Sequence, residues 1–301
     1  MGKSQVVENI ENAPKPVTRV LSRTLPTLLL LLAAPAIPAQ TLKLPLKPDS
    51  VKFAVIGDSG TGGKPQYDVA RQMSKYRAVF PFDFVIMLGD NLYDGAEAAD
   101  YKKKFEDPYK PLLDSGVLFF ASLGNQDDDN ERAYKPFHMG GERYYTFQRG
   151  GVDFFALDSN TMDAGQLTWL KSQLAASKSA WKICFFHHPL YSHTKSKLEE
   201  VGLRKRLEPV LLESGAGAVF SGHDHVYERI KPQRGIYYFV LGNSGQLRLH
   251  DLKSSVDTVK GFDTDRTFGM VEIAGDQLHF QIVSRAGDTV DSGVLPLLQK
   301  R

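Results

Sequence analysis

Short apolar runs recur along the middle of the chain, and most of them end in a residue that can bind a metal ion. The runs are rich in β-branched and aromatic side chains, which is typical of buried strands. They cover residues 51–56, 82–88, 117–123, 152–157, 181–186 and 218–220. Amphipathic stretches between and after these runs predict helices at 66–77, 97–105, 166–174 and 198–212. Alternation of strands and helices favours an α/β architecture.

The C-terminal part of the chain is richer in strands than the middle. Apolar runs at 237–241, 270–273, 278–283 and 290–295 have few helices between them, and we expect them to form a second sheet packed on the first. The chain has 301 residues, of which 42% are hydrophobic and 24% charged, so it is globular and long enough to bury a core. Its net charge of +2 gives no strong field to attract nucleic acid. The lysine run at 102–104 is interpreted as a solvated helix face.

Polar side chains with metal-binding atoms follow the apolar runs. Because sites in α/β sheets form beyond the carboxyl ends of strands, we expect these side chains to converge. They are Asp58, Asp90, Asn125, His187, His223 and His225, with Tyr93 as a further candidate. Oxygen and imidazole donors suit iron, zinc or manganese. The set is too large for one ion, and Asp90 could bridge two ions about 3.5–4 Å apart, an arrangement that assists displacement at phosphorus.

Five motifs that contain these residues resemble the five blocks of purple acid phosphatases, within the calcineurin-like metallophosphoesterase superfamily. They occur in the family order: Gly57-Asp58-Ser59-Gly60, Gly89-Asp90-Asn91-Leu92-Tyr93, Gly124-Asn125, Cys184-Phe185-Phe186-His187 and Gly222-His223-Asp224-His225. Five ordered blocks are far more specific than any single short motif. The resemblance implies an α/β fold, a calcineurin-like four-layer α/β-β/α sandwich of two mixed sheets flanked by helices.

The resemblance also implies two metal ions and their ligands. Many superfamily members carry a histidine two residues after the first aspartate, where this chain has Gly60. Purple acid phosphatases make the same omission and use a tyrosine at the position of Tyr93, a hard anionic donor that favours Fe(III). The implied ligands of Fe(III) are Asp58, Asp90, Tyr93 and His225. Those of a divalent ion (Fe, Zn or Mn) are Asp90, Asn125, His187 and His223.

The chain departs from the family pattern directly after Asn125. The family places a histidine there, which contacts the phosphate and helps to protonate the leaving group, whereas this chain has Gln126. Glutamine can donate a hydrogen bond but cannot shuttle a proton. His193 is the best candidate for a replacement, and a structural or a functional role is equally open for His188. The acidic residues 127–129 would disfavour dianionic substrates unless they point away.

The N-terminal segment differs from the rest of the chain. A polar region with several basic residues precedes an apolar run at 25–34, and small residues follow, which is the order of a signal peptide. The apolar run is shorter than the about 20 residues of a membrane span. We therefore expect a signal peptide at 1–39, a linker at 40–50 and a metallophosphoesterase domain at 51–301. The alternatives for the N-terminal segment are an uncleaved anchor and a mis-set start codon, because the positive region is unusually long. This organisation predicts a secreted or periplasmic protein without a stable membrane span after cleavage.

Together these features predict a phosphoric ester hydrolase of the acid phosphatase type. The expected reaction is hydrolysis of small phosphomonoesters by metal-bound hydroxide, with release of inorganic phosphate. His193 or a water would protonate the leaving group, and Gln126 would reduce or alter activity. The alternatives are a diesterase or anhydride hydrolase that uses the same site, and a metal-binding pseudo-phosphatase. No nucleic-acid partner is expected, and the sequence leaves the oligomeric state open.

Overall fold

A computed structural model describes residues 42–195 and 201–298. These residues belong to the compact unit Gln40–Arg301, and the predicted signal peptide lies outside the described residues. The α-helices are Lys64–Arg77 (α1), Ala98–Tyr101 (α2), Asp107–Asp114 (α3), Ala164–Ala176 (α4) and Val201–Ser214 (α5). Shorter helical turns are the π-helix Lys102–Glu106 and the 3₁₀-helices Asp129–Ala133 and Lys135–Phe137.

The strands form two mixed sheets. They are Val51–Ile56 (β1), Phe84–Met87 (β2), Leu118–Ala121 (β3), Tyr145–Arg149 (β4), Val152–Ala156 (β5), Trp181–Phe185 (β6), Ala218–Ser221 (β7), Tyr227–Gln233 (β8), Ile236–Leu241 (β9), Thr258–Phe262 (β10), Thr267–Ala274 (β11), Gln277–Ser284 (β12) and Thr289–Pro296 (β13). The first sheet has the order β13-β12-β11-β1-β2-β3, and the second has the order β10-β8-β9-β7-β6-β5-β4. Parallel pairing of β1 with β2 and of β2 with β3 aligns the carboxyl ends of these strands, and β5, β6 and β7 are aligned in the same way.

Three apolar clusters separate four layers of secondary structure. The cluster between the sheets is rich in aromatic rings, and Phe53 stacks on Phe84 with 5.3 Å between ring centroids. A second cluster packs helices α1 and α3 against the outer face of the first sheet. The third packs α4 and α5 against the outer face of the second sheet. The predicted fold class, a four-layer sandwich of two mixed sheets flanked by helices, is confirmed.

The C-terminal strands do not form a separate second sheet, and that expectation is wrong. Strands β11, β12 and β13 extend the first sheet, because β11 pairs antiparallel with β1, with Phe53 opposite Val271. Only β9 among the four predicted C-terminal strands lies in the second sheet. The alternation of buried side chains identifies a strand but not its neighbour, since both sheets present an apolar face to the same central core.

The helix predicted at 97–105 continues to Asp114 through a π-helical turn. Helix α2 leads into the π-helix Lys102–Glu106, which leads directly into α3. Pro108 and Pro111 lack the backbone N–H that an α-helix needs, so these positions favour an end to the helix in a sequence-based prediction. Pro108 lies in the first turn of α3, where a proline is tolerated.

Residues 42–50, which the sequence assigns to a linker, lie along the first sheet. The backbone N–H of Lys43 donates to Gln281 Oε1 at 2.8 Å, and that of Leu46 donates to Glu272 Oε2 at 2.9 Å. Leu44 is buried. This segment is therefore held against the first sheet before strand β1 begins. Across the described ranges, no helix is both long and apolar enough to cross a membrane.

Candidate metal centre

His187, directly after β6 and its neighbour Phe186, is the centre of one group of predicted ligands. Its Nδ1 lies 2.9 Å from the Leu88 carbonyl oxygen, which can only accept, so Nδ1 carries the proton of the neutral ring. Its Nε2 then presents a lone pair to the Asn125 and Asp90 side-chain oxygens, at 3.1 and 3.3 Å, and to His223 Nδ1, at 3.0 Å. Several acceptor atoms thus face one another around the buried side chains of His187 and Asp90. A cation between them would remove this repulsion, so the donor set fits a metal ion.

A second group of predicted ligands lies around Asp58. The Tyr93 hydroxyl donates to Asp58 Oδ1 at 3.2 Å and lies 3.4 Å from His225 Nε2, which is 3.3 Å from the same carboxylate oxygen. Ligand atoms of Asp58, Asp90 and His225 all lie within 4.8 Å of one another. Asp90 therefore lies beside both groups, with its Oδ1 3.3 Å from His187 Nε2. We call the seven predicted ligands the ligand cluster: Asp58, Asp90, Tyr93, Asn125, His187, His223 and His225.

Burial and the charges of Asp58 and Asp90 raise the pKa of Tyr93 far above its ordinary value. The phenol therefore stays protonated next to these carboxylates in the absence of a cation. Ionised Tyr93 requires a strong positive charge in contact with its oxygen. A trivalent ion would meet this requirement, because its charge favours the ionised form of a tyrosine at this position.

The main chain holds several members of the ligand cluster in an unusual conformation. Asp58, Asp90 and His223 have φ values of 51°, 50° and 68°, in the left-handed region that few non-glycine residues adopt. Hydrogen bonds stabilise these turns: the His223 N–H donates to Asp58 Oδ2 at 2.8 Å, and the Gln126 N–H donates to Asp90 Oδ1 at 2.9 Å. Backbone strain of this kind clusters at functional sites, because only the surrounding contacts maintain it.

Gly60 stands where many members of the superfamily carry a histidine, and the structure leaves no room for a side chain there. A Cβ atom at this position would overlap the carbonyl oxygen of Asn91, so no side chain fits without movement of the backbone. The Gly60 carbonyl also accepts a hydrogen bond from the Tyr93 N–H at 3.0 Å. The loop that carries Tyr93 therefore occupies the space that a histidine would need.

Lys104 is buried and binds the Tyr93 loop, which corrects the interpretation of residues 102–104 as a solvated helix face. Its ammonium group donates to the Tyr93 carbonyl oxygen and lies 2.7 Å from Asp100 Oδ1. Lys102 and Lys103 are exposed as expected. The π-helical turn changes the helical period, so a regular α-helical pattern does not predict that Lys104 points inward.

His188 lies beside the ligand cluster. Its ring centroid is 4.3 Å from that of His223, and its Nδ1 lies 2.9 Å from the Ser159 hydroxyl, which also accepts from the His188 backbone N–H. Ligand atoms of His187, His188 and His223 lie within 4.8 Å of one another. Sequence reasoning did not single out Ser159 or Asn160, whose Nδ2 donates to the Gly124 carbonyl oxygen at 3.0 Å. Both follow the end of β5, so the strand-end signal that identified the other residues could have found them.

The three acidic residues after Gln126 form hydrogen bonds and ion pairs within the protein. The Asp127 carboxylate accepts from the backbone N–H groups of Asn91, Leu92 and Gly124 and from the Asn91 side chain. Asp128 caps the following 3₁₀-helix, and Asp129 pairs with two arginines. Asp127 thus joins the loop of Asp90 to the loop of Asn125. Gln126 itself is exposed.

His193 lies in a hydrogen-bond network with Glu228 and Thr258. Its Nδ1 is 2.8 Å from Glu228 Oε1, and its backbone N–H donates to Glu228 Oε2 at 2.9 Å. The Thr258 hydroxyl donates to the same carboxylate. We call these three residues the His193 network. Sequence reasoning missed Glu228 and Thr258, because their partner lies 35 and 65 positions earlier in the chain.

Comparisons with known proteins agree with the fold and with the motifs. The calcineurin-like phosphoesterase family model matches residues 51–227. Purple acid phosphatase 17 of Arabidopsis thaliana is 29% identical over 67% of this chain and 70% of its own length. Tartrate-resistant acid phosphatase type 5 of Rattus norvegicus is 26% identical over 89% of this chain and 94% of its own.

Solved structures share the fold. GAP50, described as the anchor in the inner membrane complex of Plasmodium, has a TM-score of 0.75 and 21% identity, over 84% of this chain and 90% of its own. Purple acid phosphatase PPD1 from yellow lupin has a TM-score of 0.69 and 15% identity, over 83% of this chain and 55% of its own. The resemblance to purple acid phosphatases is thereby confirmed, and the chain belongs to the calcineurin-like phosphoesterase family.

Proposed function

We propose that the chain is a binuclear metal-dependent phosphatase that hydrolyses small phosphomonoesters and releases inorganic phosphate. The observation that carries this proposal is the convergence of acceptor atoms on His187 Nε2, with Asp90 shared between two groups of ligands. Its acid phosphatase relatives support the same class of reaction.

The residues fit two ions of different charge. Asp58, Asp90, Tyr93 and His225 are the proposed ligands of Fe(III), and Asp90, Asn125, His187 and His223 those of a divalent ion (Fe, Zn or Mn). When bound, the pair supplies an acidified water and neutralises charge that develops on the phosphoryl oxygens. The hydrogen bond from His187 Nδ1 to the Leu88 carbonyl supports this assignment, because it directs Nε2 into the ligand cluster.

Polar side chains of the protein would then bind the phosphate and protonate the leaving group. The exposed Gln126 amide can donate a hydrogen bond to a phosphoryl oxygen, but it cannot transfer a proton to the leaving group. His193 is the proposed proton donor to the leaving oxygen. We further propose that residues 1–39 are a signal peptide and that the protein acts in the periplasm or outside the cell.

Asp90→Ala tests the proposed site, because Asp90 belongs to both ligand groups. We expect loss of both metals and of phosphatase activity together, with Asp114→Ala, an exposed carboxylate on α3, as the control. Metal analysis and the visible spectrum of the purified wild type are measured beside the variants. About two metals per chain with a tyrosinate band would support the proposal, whereas an active, metal-loaded Asp90→Ala protein would contradict it.

Gln126 supports a second candidate, a metal-binding pseudo-phosphatase or an enzyme restricted to esters with good leaving groups. Losing one general acid typically costs about 10²–10⁴-fold in rate. Gln126→His separates the candidates. A gain of orders of magnitude on phenyl phosphate means that the native chain lacks its acid, whereas an unchanged rate means that another residue has taken over.

A further inference from the structure

Glu228 is a buried carboxylate whose oxygens are both directed at His193. It is fully buried, and the His193 side chain is 23% exposed. Oε2 accepts from the His193 backbone N–H at 2.9 Å, and Oε1 lies 2.8 Å from His193 Nδ1. A single carboxylate therefore fixes both the loop that carries the histidine and the orientation of its ring.

Among the residues that the structure describes, His193 and Thr258 are the partners of the Glu228 carboxylate. The adjacent Arg229 points to Asp291, with its Nε 2.8 Å from Asp291 Oδ2. The other contact to Glu228 Oε1 is the neutral hydroxyl of Thr258, on strand β10. Because β8 is paired with β9 on one side and β10 on the other, Glu228 lies on a rigid element.

This arrangement determines which ring nitrogen of His193 is available for proton transfer. An ionised carboxylate only accepts, so Nδ1 carries a proton and Nε2 is the nitrogen that remains for another partner. The ring is held through Nδ1, and the His193 side chain is partly exposed to solvent.

We propose that Glu228 is a positioning residue that accepts the Nδ1 proton of His193, so that Nε2 is the nitrogen that gives its proton to the leaving group. The proposal rests on the phosphatase function proposed above. As the bond between phosphorus and the leaving oxygen breaks, the proton on Nε2 moves to that oxygen. The water oxygen forms the new bond to phosphorus and loses one proton to solvent. The ring is left neutral with its remaining proton on Nδ1, where Glu228 accepts it, and regains the other from solvent.

Glu228→Gln is the first test, with Glu208→Gln as a matched control. Glu208 is also a buried glutamate, but it accepts from Tyr191 and Tyr238, and within the described ranges it makes no hydrogen bond to His193, Glu228 or Thr258. Rates are measured on phenyl phosphate, which has a poor leaving group, and on 2,4-dinitrophenyl phosphate, which needs no proton. For Glu228→Gln we expect a loss of about 10²-fold on the first substrate and less than about threefold on the second, with unchanged metal content. His193→Gln should behave alike, and the double variant should lose little more. Equal losses on both substrates would overturn the proposal.

A spectroscopic readout separates a failure of this proposal from a failure of the phosphatase function. Long-range ¹H–¹⁵N spectra report which nitrogen of His193 carries the proton. We expect Nδ1–H in the wild type and a mixture of tautomers in Glu228→Gln and in the milder Thr258→Val. A wild type that is metal-loaded but inactive would overturn the phosphatase function and with it the proton transfer. An unchanged tautomer in both variants would overturn the role of Glu228, whatever the activity.

Discussion

The ligand cluster is held largely by the main chain, whereas His193 is held by one side chain. Asp58, Asp90 and His223 lie at left-handed turns, and glycines with no room for a Cβ atom pack against the ligand loops. His193 depends on Glu228, which lies on a different strand. The first arrangement needs particular residues next to each ligand, so it leaves motifs in the sequence. The second needs only one acceptor within reach, so the residue that we propose as proton donor can change while the predicted ligands stay the same.

The largest effect on activity is expected from Gly60→Ala, which tests whether the main chain holds the ligand cluster in place. The new Cβ atom would overlap the Asn91 carbonyl oxygen and displace the loop that carries Tyr93. We expect loss of iron, of the tyrosinate band and of nearly all activity, and a loss of about 1–3 kcal/mol in the free energy of unfolding. Gly63→Ala is the control, because the nearest atom to its Cβ is 3.5 Å away. Retention of the tyrosinate band in Gly60→Ala would show that the loop can adapt.

Asp127→Ala should weaken metal binding, although Asp127 is not one of the predicted ligands. Its carboxylate accepts four hydrogen bonds that join the loop of Asp90 to the loop of Asn125. Partners of this kind typically contribute 10–100-fold to metal affinity, and we expect a loss of about that size in a competition titration with a chelator. Asp129→Ala, which removes exposed ion pairs, should leave the affinity unchanged. Equal affinities in the two variants would argue against a role of Asp127 in holding the loops.

Lys104→Met should affect the Tyr93 side of the site more than the His187 side. It removes the donor to the Tyr93 carbonyl oxygen and the buried partner of Asp100. We expect about tenfold weaker iron binding and a shifted tyrosinate band, while the affinity for the divalent ion changes less. Lys103→Met changes an exposed lysine of the same turn and serves as the control. Equal effects on both metals would show that Lys104 supports the whole fold and not one subsite.

The sequence predicts which residues of the ligand cluster come together better than it predicts the residues that support them, for a physical reason. Each ligand follows an apolar strand, and parallel strands bring their carboxyl ends to one edge, so local sequence identifies residues such as Asp58 and His187. Supports such as Lys104 and Glu228 depend on a π-helical turn and on contacts between distant strands, which no local period encodes. The pairing of β11 with β1 escaped prediction for the same reason, since strand patterns do not specify which edge a strand joins.

The smallest effect on activity is expected from Glu131→Gln, which instead changes how stability depends on pH. Glu131 is fully buried in the 3₁₀-helix that follows Asp128, and within the described residues its Oε2 has no hydrogen-bond partner. Burial and the neighbouring charge of Asp127 raise the pKa of Glu131 to about 10. The folded state therefore holds a proton that the unfolded state releases near its ordinary pKa of 4.5.

A raised pKa of this kind stabilises the folded protein at low pH, and the stabilisation is lost as the pH rises from about 4.5 towards 10. Glu131→Gln is neutral at every pH, so its free energy of unfolding should fall less over this range than that of the wild type. Urea unfolding at several pH values measures the difference, with Glu213→Gln, an exposed glutamate, as the control. Parallel curves for wild type and Glu131→Gln would show that Glu131 is ionised in the folded protein. In that case the loop of Asn125 would rest on two charged carboxylates, and the ligand cluster would depend on nearby side chains as much as His193 does.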